Sequence, residues 1–145
     1  TFTGLGAQNI VLTATGIPTA VGIFDFALNT NPTCNFSATT IPFGSIFLGT
    51  CGSTSAITYR GNNNTRYTCT CNATDYLSGT VWGTGIYTDD STIVRAAVHA
   101  GVIAPATAGT ITFRILPGQA SYTASTQNGI TSFSWPSWVG SYDFN

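Results

Sequence analysis

One ten-residue segment, Ser91–Ala100, constrains the fold more than any other part of this sequence. It is apolar nearly all round, whereas a surface helix shows one polar face. Ser91 is a suitable N-cap residue, and Asp89 and Asp90 place negative charge at the positive end of a helix dipole. Gly101 follows where a left-handed terminator belongs. The segment therefore predicts a helix that other elements enclose.

The rest of the chain favours β structure around this helix. Lys, Glu and Met are absent, which removes three good helix formers, while Thr and Ser make up 38 of the 145 residues. Ala96 and Ala97 would let a sheet approach the helix closely. The predicted fold class is α+β, mostly β, with a single central helix over about 91–100 wrapped by strands, and a helical bundle is excluded.

Alternating apolar and polar residues indicate the strands. The expected strands are Asn9–Thr15, Ala20–Leu28, Ile41–Leu48, Arg66–Cys71, Gly109–Leu116, Tyr122–Thr126 and Ile130–Trp135. Phe24 and Phe26 share one face of their strand, which predicts that this face is buried. Ile57–Arg60 is expected to form a hairpin with Arg66–Cys71 across the polar turn at 61–65.

Low charge limits the partners that this chain can bind. Four Arg and five Asp give a formal net charge of -1, so no basic face is available for nucleic acid or for an anionic membrane. The longest apolar stretch, Ala96–Ala108, is interrupted well short of the roughly 20 residues of a membrane span. We therefore expect neither nucleic acid as a partner nor a membrane span.

The sequence begins at Thr1 without a basic or apolar leader, which predicts a secreted, extracellular product whose leader has been removed. A surface this poor in charge needs another hydrated coat or burial in an assembly. Three Asn-x-Ser/Thr acceptors, at Asn35, Asn63 and Asn72, predict covalent glycans. Ordinary polar loops are the alternative reading of these tripeptides.

The four cysteines predict two disulfides in an extracellular chain. They are Cys34, Cys51, Cys69 and Cys71. Cys69 and Cys71 lack the spacing of most structural zinc sites, so no metal is expected. A bridge between these two neighbours would be strained on a strand. Each is therefore expected to bond Cys34 or Cys51, and both assignments stay open at this point.

No residues of this sequence combine into a recognisable catalytic motif. His99 is the sole histidine and no G-x-S-x-G sequence accompanies it, so a core imidazole is the expected role. Asp89 and Asp90 are already explained by the helix start, and calcium binding by Asp75, Asp89 and Asp90 lacks EF-hand spacing. We therefore predict no catalytic residues, no cofactor and no enzyme activity.

The segment Val81–Ile103 resembles the signature of the LCCL domain, a module of secreted proteins. Pro117-Gly118-Gln119, Tyr122 and Gln127–Ser132 continue the same pattern. The resemblance covers about residues 51–134 and implies a compact α+β fold with a central helix, in which His99 belongs to the helix motif.

The resemblance also bears on the disulfides. The family usually has two further cysteines, at positions where this chain has Asp75 and Val94, so both halves of one family disulfide are missing together. By resemblance Cys51 bonds Cys71, which leaves Cys34 with Cys69. Cys34–Cys71 together with Cys51–Cys69 is the alternative.

The resemblance divides the chain into an N-terminal β-rich extension (1–50), an LCCL-like domain (51–134) and an aromatic tail (135–145). The extension is too apolar for a linker, which favours a glycosylated, self-assembling structural protein that extends into filaments by strand addition. Its partners would be copies of itself, with extracellular polysaccharide or glycolipid as further candidates. The candidate assembly residues are Ile10, Leu12, Phe24, Phe26, Trp135 and Trp138.

A monomeric extracellular LCCL-type module that binds glycans or lipopolysaccharide is the competing hypothesis. Binding an anionic glycolipid normally requires several cationic side chains. The chain supplies four Arg and no Lys, so the sequence favours the structural hypothesis.

Overall fold

The computed structural model describes residues 20–28, 34–52 and 54–145. The expected strand Asn9–Thr15, with the assembly candidates Ile10 and Leu12, lies outside the described residues. The strands are β1 (Gly22–Leu28), β2 (Cys34–Thr40), β3 (Ser45–Thr50), β4 (Arg66–Cys71), β5 (Gly83–Thr84), β6 (Ile86–Thr88), β7 (Gly109–Pro117), β8 (Thr126–Gln127), β9 (Ile130–Thr131) and β10 (Gly140–Asp143). The α-helix of the described residues is α1 (Ile93–His99). This mostly β architecture confirms the predicted fold class.

Six strands form the main sheet in the order β3-β4-β7-β10-β6-β5. β3 runs parallel to β4, and the other pairs are antiparallel. The alternation along β7 buries Ile111, Phe113 and Ile115, as the sequence predicts. These side chains form one hydrophobic core with the apolar residues of α1.

The helix is enclosed, as its composition predicts. Six of its seven residues are buried, and Arg95 is the exception. Ala96 and Ala97 are fully buried, which fits the expected close approach of neighbouring elements. The helix therefore has no polar face to present to water.

The start of the helix differs from the prediction. Its N-cap is Thr92, and no side chain caps it. The Ser91 hydroxyl instead accepts a hydrogen bond from the Trp82 backbone N–H at 2.9 Å, because a neighbouring loop competes for it. Gly101 follows the helix with a φ of 76°, which confirms the predicted left-handed terminator.

The main sheet crosses both predicted boundaries of the LCCL-like domain. β3 belongs to the predicted extension and β10 to the predicted tail, yet both pair within the main sheet. β10 lies between β7 and β6, and its Tyr142 is fully buried. The main sheet therefore includes strands from either side of residues 51–134.

The predicted hairpin of Ile57–Arg60 with β4 is wrong. Ile57–Tyr59 forms a short 3-10 helix, and β4 pairs with β3 and β7 instead. Side-chain contacts explain the difference, because the Tyr59 ring stacks on Tyr67 at a centroid distance of 4.3 Å and Arg60 turns towards Asp89. The segment is held by tertiary contacts rather than by strand pairing.

β1 and β2 form a separate two-stranded antiparallel sheet, here called the N-terminal hairpin (β1 and β2, residues 22–28 and 34–40). Its register runs from Gly22 opposite Thr40 to Leu28 opposite Cys34. β1 contacts β7. The predicted strand at Ala20–Leu28 is confirmed, whereas β2 was not anticipated.

Candidate functional site

His99 lies fully buried at the end of α1. Its Nδ1 is 2.9 Å from the Tyr87 hydroxyl, and its Nε2 is 3.1 Å from the Ser125 Oγ and 3.3 Å from the Ser125 carbonyl oxygen. A carbonyl oxygen can only accept, so Nε2 carries the ring proton. Nδ1 therefore accepts the hydrogen bond from Tyr87.

This tautomer does not suit base catalysis at Ser125. A general base for a serine must accept the hydroxyl proton, but Nε2 donates towards Ser125. The Thr84 hydroxyl donates a hydrogen bond to the Thr123 carbonyl. Its oxygen lies 2.8 Å from the Ser125 Oγ and can accept a hydrogen bond from the Ser125 hydroxyl. The arrangement ties the helix to β6 through Tyr87 and to the loop before β8 through Ser125, and sequence reasoning had not singled out either residue.

The Tyr87 hydroxyl remains protonated in this network. Burial raises its pKa above the ordinary value, while a hydrogen bond with the Gly85 backbone acts in the opposite direction. A neutral phenol can donate to His99 Nδ1 over the whole physiological range. The predicted core role of His99 is consistent with this geometry.

Asp89 is a buried acceptor rather than a helix-start charge. It is 1% exposed, and its carboxylate accepts two hydrogen bonds from Arg60, at 2.5 and 2.8 Å. The Trp138 indole N–H donates to the same carboxylate at 2.8 Å. A Cβ at Gly140 would lie 1.9 Å from Asp89 Oδ2, so this site requires glycine there.

The Asp89 contacts change the interpretation of Trp138. The Arg60 guanidinium carbon lies 5.7 Å from the Trp138 ring centroid, within cation–π range. The hydrogen bond to Asp89 raises the pKa of Arg60, so this cation stays charged. Trp138 was expected as an assembly residue, but its indole N–H is hydrogen-bonded to Asp89 of the same chain.

The acidic residues considered for calcium do not form a joint site. Asp75 accepts a hydrogen bond from the Asn72 backbone N–H at 2.8 Å, and Asp89 is held by Arg60 and Trp138. Asp90 has one buried oxygen, Oδ1, without a hydrogen-bond partner. Among the residues that the structure describes, no three His, Cys, Asp or Glu side chains are placed to hold a metal ion.

The structure bonds Cys51 to Cys69, with their Cα atoms 5.1 Å apart. The favoured pairing, Cys51–Cys71 with Cys34–Cys69, is therefore wrong. Cys69 and Cys71 lie on the same face of β4, and the Cys51 backbone N–H bonds the carbonyl of Thr70, which lies between them. Spacing could not separate the two partners, because the choice depends on how β3 pairs with β4, where a register shift places Thr50 opposite Thr70.

Cys71 is a free, buried thiol. Burial raises its pKa above the ordinary value, and a hydrogen bond with the Gly109 backbone lowers it by less. It lines a cavity of about 580 Å³ at the end of β4. The start of β1, at Val21, Gly22 and Ile23, forms another part of the cavity wall.

The N-terminal hairpin has one aromatic face. Phe26 lies opposite Phe36 with ring centroids 5.1 Å apart, and Phe24 lies opposite Ala38. Phe24, Phe26 and Phe36 are 38%, 47% and 38% exposed. This aromatic face (Phe24, Phe26, Phe36 and Ala38) is not buried as the sequence predicted, because no described element covers it.

The opposite face of the hairpin is mostly polar. Ser37 donates a hydrogen bond to Asp25 at 2.5 Å, and Asn35 and Thr39 lie on the same side. Asn35 is exposed there. The other two acceptors, Asn63 and Asn72, are exposed in loops of the domain. All three predicted glycosylation acceptors are therefore at the surface, although no sugar is shown.

Trp135 is the remaining aromatic assembly candidate. Its side chain is 42% exposed, and its ring makes edge contacts with Trp82 and Trp138 at centroid distances of 6.2 and 6.4 Å. It therefore extends the packing around Trp138 and leaves part of one ring in water.

The family of the chain follows from the extent of its sequence match. A family model described as "LCCL domain" matches residues 49–142, a range that contains α1, the strands β4 to β7 and all but the last residue of β10. The chain belongs to the LCCL family. LCCL domains are extracellular modules, so membership of this family supports the expected extracellular location.

The curated relatives named here match less than half of this LCCL chain. Vitrin from Mus musculus and Vitrin from Homo sapiens are each 40% identical over 62 residues, which is 43% of this chain. The aligned segment is 9% of each relative. The comparison therefore concerns the module and not the relatives as whole proteins. Within the described residues, no helix has the length and hydropathy required to cross a membrane.

Proposed function

We propose that this LCCL chain is a non-enzymatic structural protein of an extracellular assembly, and that it associates with copies of itself through its N-terminal hairpin. The observation that carries the proposal is the uncovered aromatic face. Three phenylalanines on a two-stranded sheet retain about 40% of their exposure, whereas aromatic side chains usually supply core or interface contacts.

Charge favours a second copy as the occupant of this face. Asp25 is the single charged side chain among residues 1–50, and it lies on the polar face with Ser37. No like charges would oppose each other when the aromatic faces of two hairpins meet. A strongly charged partner would find no counter-charge on this surface.

A second surface suits strand addition. β3 is at the edge of the main sheet, so one row of its backbone groups is not paired with a described strand. Ile46 and Phe47 on this strand are 51% and 42% exposed. An N-terminal strand of a second copy could add to this edge through main-chain hydrogen bonds. Because the two surfaces differ, the contact would repeat head to tail and extend into a filament.

Glycans would be compatible with this assembly. Asn35 lies on the polar face of the hairpin, opposite the phenylalanines. Asn63 and Asn72 lie in exposed loops. Sugars at these positions would hydrate a surface that is poor in charge and would leave the aromatic face accessible.

The absence of enzymatic activity is proposed from the His99 geometry. The one histidine of the chain is buried and donates from Nε2 towards Ser125. A general base at this hydroxyl would need the opposite tautomer. The network is best explained as a cross-link from the helix to β6 and to the loop that contains Ser125.

Light scattering on the 145-residue chain, with negative-stain microscopy, tests the assembly. The chain should form polymers, and the triple variant Phe24→Ser, Phe26→Ser, Phe36→Ser should remain monomeric. The variant Leu77→Ser is the matched control, since Leu77 is 62% exposed and lies in the domain. It should assemble like the unchanged chain.

A monomeric unchanged chain at high concentration would overturn the proposal. If that monomer bound lipopolysaccharide micelles, the binding-module hypothesis would replace it. Equal assembly by the triple variant would show that the aromatic face is not the contact.

A further inference from the structure

Two cysteines remain once Cys51 and Cys69 are bonded. Cys71 is 5% exposed and unpaired, and it lines the open cavity of about 580 Å³ at the end of β4. Cys34 begins β2. An extracellular chain with an even number of cysteines usually leaves none unpaired, so the location of these two residues needs an explanation.

The hairpin register separates Cys34 from Cys71 within one chain. Gly22 and Ile23, at the start of β1, line the same cavity as Cys71. Cys34 lies opposite Leu28, at the other end of the hairpin. Six residues of strand at about 3.3 Å each place the Cys34 backbone roughly 20 Å from that end. A disulfide requires Cα atoms within about 7 Å.

We propose that Cys34 of one copy forms a disulfide with Cys71 of the next copy. This inference rests on the proposed self-association, which would bring the far end of one hairpin to the cavity of its neighbour. Each chain then contributes one cysteine at each of two different places. The bridge is therefore heterologous, and its repetition yields a covalent head-to-tail chain.

The bond formation balances with a low-molecular-weight disulfide as the oxidant. The Cys34 thiolate attacks this disulfide and forms a mixed disulfide, and one small thiol leaves. The Cys71 thiolate of the next copy then attacks the Cys34 sulfur, and the second small thiol leaves. Two protein thiols are oxidised to one disulfide, and the reagent is reduced to two thiols that take up the two protons.

The burial of Cys71 explains why the disulfide between copies would form only after the copies have associated. The raised pKa of this thiol leaves little thiolate in the isolated chain at neutral pH. A small oxidant also reaches a thiol that is 5% exposed only through the cavity. A neighbouring chain that holds Cys34 at the cavity supplies the reaction partner at high effective concentration.

Cysteine variants of the full 145-residue chain test the bridge. Each is incubated with oxidised glutathione under assembly conditions and run on a non-reducing denaturing gel. The unchanged chain should give a ladder of covalent multimers, whereas Cys34→Ser and Cys71→Ala should each give monomers alone. An equal mixture of these two variants should stop at covalent dimers, because each retains one of the two thiols.

Peptide mass spectrometry should identify the Cys34–Cys71 cross-link in the ladder and in the mixed dimer. The double variant Cys34→Ser, Leu77→Cys is the matched control, since it moves one thiol from the hairpin to the domain, at a position that is 62% exposed. It should form no cross-link to Cys71. Such a cross-link would show that Cys71 reacts with any nearby thiol and would overturn the inference.

Other outcomes also overturn it. Dimers of Cys71→Ala would indicate a bridge between two Cys34 residues, and a monomer with an internal Cys34–Cys71 bond would exclude the bridge between copies. Light scattering under reducing conditions separates this inference from the proposed function. Polymers without a covalent ladder would reject the bridge alone, whereas monomers under both conditions would reject both.

Discussion

Phe113 and Phe26 carry the same side chain on strands with the same alternation, but their surroundings differ. Phe113 in β7 is fully buried, with Tyr59, Tyr67 and Tyr142 around its ring. Phe26 in the hairpin is 47% exposed and touches one ring, that of Phe36. β7 has its apolar face covered, whereas the hairpin leaves its aromatic face open.

The difference teaches what an alternating pattern can predict. Alternation determines which side chains share a face, because successive residues of a strand point in opposite directions. It contains no information about the element that covers the face. In β7 the cover is α1 and the rest of the core, while in the hairpin we propose that the cover is another copy.

Phe113→Ala tests the domain side of this comparison and should have the largest effect. Removing a fully buried aromatic ring should lower the free energy of unfolding by about 4 kcal/mol. Urea denaturation followed by circular dichroism measures the loss. A change below about 1 kcal/mol would mean that the core around β7 is loosely packed.

Asp89→Ala compares a buried carboxylate with an exposed one. Its loss leaves the Trp138 indole N–H and part of the Arg60 guanidinium unpaired, which should cost about 2 kcal/mol. Trp fluorescence should shift as Trp138 is released. Asp25→Ala in the hairpin is the control, and it should change stability by less than about 0.5 kcal/mol because that carboxylate is exposed. Equal losses would contradict the contrast.

Tyr142→Phe tests the buried phenol through pH. Burial raises the pKa of Tyr142 well above its usual value, so its contribution is complete below the unfolded pKa of about 10 and is lost as the pH rises further. The variant should lose about 1 kcal/mol at pH 7, because the hydrogen bond to the Ser91 carbonyl disappears. Denaturation from pH 8 to 11 should then show a shallower decline than in the unchanged chain, and identical slopes would exclude this role.

Phe26→Ala should have the smallest effect on folding. Because the ring keeps nearly half of its exposure, its loss should change the unfolding free energy of a dilute monomer by about 0.5 kcal/mol or less. Sedimentation at high concentration should nevertheless show weaker association. A large loss of monomer stability would mean that the hairpin belongs to the folded core of its own chain.

Local patterns predicted the elements that have strong local signals. β4 is observed at its predicted bounds, and the ends of β7 and α1 lie within one and two residues of their predicted positions, respectively. β10 was missed because Gly-Ser-Tyr-Asp is too short to show alternation, and its strand pairing depends on β6 and β7. Ile57–Arg60 has the composition of a strand, but contacts to Tyr67 and Asp89 hold it as a 3-10 helix.

The sequence predicted that His99 is buried, but it did not predict which residues His99 and Cys51 contact. The apolar helix predicted an enclosed His99, yet its hydrogen bonds to Tyr87 and Ser125 join residues 12 and 26 positions away. The choice of Cys69 over Cys71 by Cys51 likewise depends on the register between β3 and β4. Such contacts are set by three-dimensional packing, for which a single sequence has no local signal.

The place of β10 in the main sheet has a consequence for biosynthesis. The ribosome makes Gly140–Asp143 after all the other strands, but this strand lies between β7 and β6. During translation the two halves of the sheet therefore have no strand to join them. The six-stranded sheet can therefore be completed only after nearly all of these 145 residues have left the ribosome.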